Sequence, residues 1–223
     1  MEEDHLMPLV LRPGFSWCIC AEQAVFLDLT RDRYLCLPEA LDRAFQRWAT
    51  GEALSPAEHD ALIATSILEP GAGERTPVTW YEPAQCDQAI GSASGGYFRD
   101  ILAAVAGQLR ARRWLRHRSI ANIVSFLEQE RANAPGTQDD ERHRQRIASA
   151  FVSSAMLLRA ADQCLPRAIA AWRICQHHGI EAALILGIRV NPFAAHSWVQ
   201  AGDAVIVGDY ERVRLYTPIL VLR

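Results

Sequence analysis

The sequence predicts an α+β protein of two domains, divided near residue 78. Residues 14 to 37 break into three short apolar runs with turn residues between them, and helical periodicity follows at once. Longer stretches of helical spacing fill the middle of the chain. After Gly179 it returns to short strands joined by tight turns, the pattern of an antiparallel sheet. Between the early and middle regions, Glu69-Pro70-Gly71-Ala72-Gly73-Glu74-Arg75-Thr76-Pro77 concentrates proline and glycine as a linker does. Residues 1–78 and 79–223 are therefore read as separate domains, the second starting near Trp80.

At 223 residues and 50% hydrophobic, the chain can bury one large core or two small ones. Its net charge of −3 offers no global field for nucleic acid or membrane. No apolar run approaches the length of a membrane span, and the acidic start Met1-Glu2-Glu3-Asp4-His5 is unlike a signal peptide, so a cytoplasmic protein is expected. Six cysteines at 18, 20, 36, 86, 164 and 175 form no CxxC pair, which argues against a zinc site or a disulfide scaffold. All 23 basic residues are arginine. Without lysine there is no Walker A phosphate loop and no Schiff-base chemistry, which leaves cysteine and histidine as reactive groups and no cofactor or metal to expect.

The first domain reads as winged-helix-like. Its strands are Phe15-Ser16-Trp17-Cys18-Ile19-Cys20, Ala24-Val25-Phe26-Leu27-Asp28-Leu29 and Arg33-Tyr34-Leu35-Cys36-Leu37, with Cys18 and Cys20 packed on one face. Pro38 opens a helix that turns Ala40, Leu41, Ala44, Phe45 and Trp48 inward and closes at Gly51. Ser55-Pro56-Ala57-Glu58 is an N-cap, a first-turn proline and a capping-box glutamate, and starts a second helix through Leu62 and Ile63. A winged helix suggests DNA, but residues 1 to 80 hold 13 acidic residues and 6 arginines, a net of −7. Such a surface would be repelled by phosphates.

In the second domain, net +4 over residues 81 to 223, a helix from Tyr97 to Arg118 is expected to turn Phe98, Ile101, Leu102, Val105, Leu109 and Trp114 inward. Its terminal cluster Arg110, Arg112, Arg113, Arg116 and Arg118 reads as a solvated face favoured by the helix dipole. Ser119 caps a helix to about Arg131, and Thr137 with Asp140 caps another running toward residue 160.

The chemistry concentrates after that. Leu165, Ala168, Ile169, Trp172 and Cys175 recur at helical spacing to about His178, and Pro166 belongs in a first turn, so Cys164 stands at a helix N-terminus. The partial positive charge there favours a thiolate. An apolar strand, Ala182 to Val190, an Asn191-Pro192 turn, and two short strands, His196 to Gln200 and Ala204 to Asp209, follow. Gly202 and Asp203 suit a two-residue type II′ turn. With Ala201 facing Ala204, continuing the register puts His196 opposite Asp209, Cβ atoms roughly 4.5–5.5 Å apart. A three-residue loop would break that pairing and favour Asp203 as the carboxylate. Cys164, His196 and Asp209 thus read as nucleophile, base and orienting acid.

The order Cys, helix, strand, His, Asp is similar to the transglutaminase-like and papain-like cysteine proteases. More narrowly, Cys164-Leu165-Pro166-Arg167-Ala168, Leu184-Ile185-Leu186-Gly187-Ile188 and Pro192-Phe193-Ala194-Ala195-His196-Ser197-Trp198-Val199 resemble the B proteins of lasso-peptide biosynthesis, with Ser197 where that family usually has alanine. The three strands and helices of residues 1–78 resemble the PqqD-like leader-recognition element. The resemblance implies a leader peptidase that binds a lasso precursor peptide and cuts leader from core through Cys164, His196 and Asp209. It also implies a partner, an asparagine-synthetase-like macrolactam synthetase. The edge strand is then the expected peptide site, with Arg33, Tyr34, Leu35, Leu37, Leu62 and Ile63 lining it. Two other classes share these features: an acyl transferase of transglutaminase or arylamine acetyltransferase type, and a nonenzymatic peptide carrier.

Overall fold

The computed structural model describes residues 7–73, 75, 81–88, 98–132, 141–158 and 164–223. Trp80, Tyr97, Thr137 and Asp140 lie outside them. The chain divides into two compact units, Met1–Val78 and Thr79–Arg223, and mixes helices and strands in both.

In the first unit, β2 (Phe15–Cys20), β3 (Gln23–Asp28) and β4 (Arg33–Cys36) form an antiparallel sheet in the order β2-β3-β4, so β4 is an edge. The β2–β3 turn is Ala21-Glu22, both at positive φ (49° and 64°), the conformation that matches the twist of a tight hairpin. Asp28 holds the next turn by accepting from the N–H groups of Thr30 and Arg31. Two further strands, β1 (Leu9–Leu11) and β5 (Leu68–Pro70), pair with each other. The start of the stretch expected as linker is therefore a strand.

α1 (Glu39–Thr50) ends at Gly51, whose φ of 85° lets its N–H turn back to the last carbonyls. α2 (Pro56–Ala64) carries the full capping box of Ser55 and Glu58. Ala40 faces out rather than in, and Asp42 takes an inward place on α1. Its carboxylate accepts from Ala24 N–H at 2.9 Å and from the Gln46 amide at 2.7 Å, so the buried charge is fully engaged. Phe45 meets Trp17 and Phe26 edge-on at 4.8 and 4.7 Å. Burying each such ring is worth roughly 1.5–3 kcal/mol.

The second unit runs β6 (Cys86–Asp87), α3 (Phe98–His117), α4 (Ile120–Ala132), α5 (Glu141–Leu157), α6 (Cys164–His177), β7 (Ala183–Arg189), β8 (Ala194–Ala201), β9 (Ala204–Val207), α7 (Tyr210–Val213) and β10 (Thr217–Leu222). Its sheet has the order β10-β7-β8-β9-β6, antiparallel except for β6 beside β9. α6 packs on β7 and β8, and α3 and α5 pack on α6.

The inward face expected of α3 forms only in part: Ile101, Val105 and Trp114 are half-buried, and Trp114 meets Phe126 at 5.0 Å. Phe98 is 73% exposed and Leu102 and Leu109 are exposed too, while Ala104, Gln108 and Ala111 are buried. Close approach explains it: a methyl group on Gly107 would stand 3.1 Å from the Ala170 side chain of α6, so only small residues fit on that face. Gln108 satisfies its buried amide by donating to Ala104 O and Ser154 Oγ. Among the described residues no helix is long and apolar enough to cross a membrane.

Candidate active site

Cys164 is the first residue of α6 and half-buried, with Pro166 in the same turn. Ala168, Ile169, Trp172 and Cys175 are buried beneath the sheet, and Trp172 Nε1 donates to Ala182 O at 2.9 Å. That bond ties the helix to the entry of β7. Cys175, wholly buried on the packed side, is a core residue. In the first unit Cys18 is likewise buried, and desolvation pushes its thiol up to about 12.

His196 is the third residue of β8 and pairs with Gly187 across the sheet. Its ring lies 5.3 Å from Tyr216 and 6.4 Å from Trp198. Gly187 makes this possible, because a methyl group there would lie 2.8 Å from the Trp198 ring and 3.0 Å from Tyr216 Cβ. His196 Nε2 is buried without a hydrogen-bond partner. Burial, first, and then the charges of Arg212 and Arg167 lower its pKa to about 4, against the raising influence of Asp209. The imidazole is therefore neutral near pH 7, with one ring nitrogen open for a proton. Arg167 sits one turn along α6 from Cys164, donates to Phe151 O at 3.1 Å, and has its own pKa lowered by burial. Its influence on His196 couples the start of α6 to β8.

The direct pairing expected between His196 and Asp209 does not form. The turn is as expected, with Gly202 at φ 55° and Ala201 facing Ala204. A bulge between Val199 and Gln200 then shifts the register, so that Val199 pairs with Val207, where β9 ends. Gly208 turns the chain under Trp198, with space for no side chain: a methyl group would be 2.9 Å from Val205 and 3.0 Å from Trp198. Asp209 becomes the residue that precedes α7, in extended conformation, and acts on His196 from there. Asp203 stays in the turn, while His196 lies five residues back from Ala201 along β8, roughly 17 Å at strand rise. Of the two carboxylates, the chain brings Asp209 to the histidine.

At the expected peptide site, Arg33 is exposed and Tyr34, Leu35 and Ile63 are half-buried. Leu62 (0% exposed) and Leu37 (7%) belong to the core with Phe45 and Trp48, so neither is open to a peptide side chain.

Sequence reasoning missed Arg167, Arg212 and Tyr216 around the histidine, and Asp87, whose carboxylate accepts from Tyr210 N–H at 2.8 Å. Arg167 carried a signal, being one turn after Cys164; the others come from elements too short or too late in the chain to read.

A family model described as the transglutaminase-like superfamily matches residues 105–221. The Microcin J25-processing protein McjB of Escherichia coli is 44% identical over 45 residues, 20% of this chain. The match spans 22% of that relative's length. No solved structure matches the chain.

Proposed function

The chain belongs to the transglutaminase-like superfamily, and on that premise we propose that it is a cysteine peptidase that removes the leader from a lasso precursor peptide. The observation that carries the reading is the meeting at His196 of Arg167, from the turn that Cys164 opens, and Asp209, which follows the adjacent strand β9, both acting on one half-buried imidazole. Similarity to a protein named for processing microcin J25 supports the substrate class.

In this mechanism the neutral His196 takes the Cys164 proton as sulfur attacks the carbonyl at the leader–core junction. Backbone N–H groups at the start of α6 receive the developing oxyanion. The imidazolium then protonates the leaving amine, and water, activated by the same ring, releases the leader from the thioester. Asp209 stabilises the imidazolium between the two steps. The freed amine is the group that an asparagine-synthetase-like macrolactam synthetase would acylate.

Residues 1–78 supply the leader site. Among the described residues β4 is the outer strand of its sheet, and an extended peptide adds beside it as a further strand, with Arg33, Leu35 and Ile63 alongside. The acidity of the unit favours a leader with basic residues.

The test is mass spectrometry of the full-length protein incubated with a lasso precursor. Hydrolysis gives leader and core whose masses together exceed the precursor by one water. A leader joined to an added amine would instead identify an acyl transferase, and an unchanged precursor held in a complex would identify a carrier.

A further inference from the structure

An aspartate immediately before a helix ordinarily turns its carboxylate onto the first N–H groups of that helix. Asp209 stands in this position, and its side chain makes no such bond. The N–H groups are met in other ways. Those of Arg212 and Val213 donate to the Asp209 backbone carbonyl at 3.0 and 2.8 Å. That of Tyr210 donates to Asp87 Oδ1 at 2.8 Å, across 123 positions of sequence. Asp87 is delivered there by β6, which lies parallel to β9 with Asp87 beside Val205. Gln85 N–H on Asp203 O and Gln88 N–H on Val205 O, each 2.8 Å, stitch the segment down on either side.

We propose that Asp87 is a positioning residue for Asp209: by holding the Tyr210 N–H it anchors the start of α7 to β6 and so keeps the neighbouring Asp209 carboxylate toward His196. The proposal rests on the reading in which Asp209 serves His196. It explains why so short a pairing as β6 with β9 exists, since two residues of strand bury little and their product is the placement of one carboxylate. Asp87 is not a catalytic residue, for it is not among the groups that act on the imidazole. Those are the charges of Arg212, Asp209 and Arg167, with the Tyr216 ring alongside and Arg189 stacked over Tyr216 at 5.6 Å. Without Asp87, the start of α7 loses its tie to β6, and the Asp209 carboxylate is no longer held toward the histidine.

The test is the NMR titration of the His196 imidazole in the full chain, which needs no substrate. Asp209→Asn lowers the midpoint, because the one raising influence is lost. Asp87→Ala lowers it in the same direction, and because Asp87 is exposed the change removes no core contact. Asp87→Asn keeps an oxygen acceptor for Tyr210 N–H and holds the wild-type midpoint. In the double variant Asp87→Ala/Asp209→Asn the midpoint matches that of Asp209→Asn alone. The proposal is overturned by a wild-type midpoint in Asp87→Ala, by a shift in Asp87→Asn equal to that in Asp87→Ala, or by an undiminished Asp87→Ala shift in the Asp209→Asn background. Cleavage is read separately: in Asp87→Ala kcat falls and KM holds. A wild-type chain that shows the titration pattern but cuts no precursor would end the peptidase reading and leave the role of Asp87 standing.

Discussion

The two units treat buried polar groups differently. In the first, Asp28 accepts from two backbone N–H groups and from Arg31, Asp42 from Ala24 and Gln46, and Trp48 Nε1 donates to Leu9 O. Among its described residues only Trp17 Nε1 is buried without a partner. In the second, His196 Nε2, Ser197 Oγ, Arg167 Nε and Arg189 Nε are buried and unpartnered at the starts of α6 and β8 and the end of β7, and Gln88 Oε1 is likewise bare beside β6. A fold satisfies its interior polar groups because leaving one bare costs about 1–3 kcal/mol. A cluster of bare ones at one end of a sheet is the mark of a place kept for something else. The first unit spends its polar groups on structure and the second holds some in reserve.

Substitution can break this contrast. The largest effect is expected for Cys164→Ala, which lowers the cleavage rate on the order of 10⁶-fold, as loss of the nucleophile does in a serine triad. Leader affinity, measured by titrating labelled peptide into the full-length variant, stays near wild type because the proposed binding edge is in the other unit. A variant still cutting at a normal rate would erase the distinction between the units. Next comes Asp209→Asn. Removing the orienting carboxylate lowers turnover by up to about 10⁴-fold in serine enzymes and less for thiols, whereas Asp203→Asn, out in the turn, leaves turnover near wild type. Steady-state kinetics with the reverse ranking would put the wrong carboxylate at the histidine.

The pH dependence sharpens the same contrast. A base with its pKa lowered to about 4 keeps its active form far into acid, so the acid limb of kcat/KM has its midpoint well below the ordinary histidine value of 6.5. Stability moves the other way. Below 6.5 the unfolded chain binds a proton at this position and the folded chain does not, so His196 contributes a loss of stability that grows as pH falls from 6.5 toward 4. Chemical denaturation across that window should show the second unit weakening, and His196→Gln should reduce the slope. Asp42→Ala probes the reserve-free unit: it strands the Ala24 N–H at a cost of about 1–3 kcal/mol in the unfolding free energy, while kcat is unchanged. The smallest effect belongs to Cys175→Ala, a buried core thiol whose loss leaves cleavage near wild type.

Much of this was legible in local chemistry. Gly51, the Ser55-Pro56-Ala57-Glu58 cap, the Gly202 turn and the proline after Cys164 each dictate backbone conformation within a few residues, and the elements form where these signals put them. What failed depends on distant partners. The α3 face was misread in part because periodicity marks apolar residues, not whether a neighbouring helix comes so near that only Ala104, Gly107 and Ala111 fit. The bulge opposite Val199 has no local signature, and the one extra residue it holds in β9, Ile206, was enough to move Asp209 from a ladder position to the start of α7. Asp87 is invisible to any window because its partner is 123 residues away. The candidate triad could be named from sequence; its geometry could not.

The edge strand β4 has a consequence for colloidal behaviour. If β4 (Arg33–Cys36) takes up the leader as an added strand, the same edge could equally take up the same strand of a second molecule. What separates the two outcomes is sign. Two copies of a unit with net charge −7 repel as their edges approach, while a basic peptide is drawn in. That discrimination acts through solution, and its range shrinks from about 10 Å at 0.1 M salt to about 3 Å at 1 M. Concentrated salt therefore removes the penalty on self-pairing while it weakens capture of the peptide, so the unliganded protein should scatter more light as ionic strength rises, and bound leader should suppress the rise.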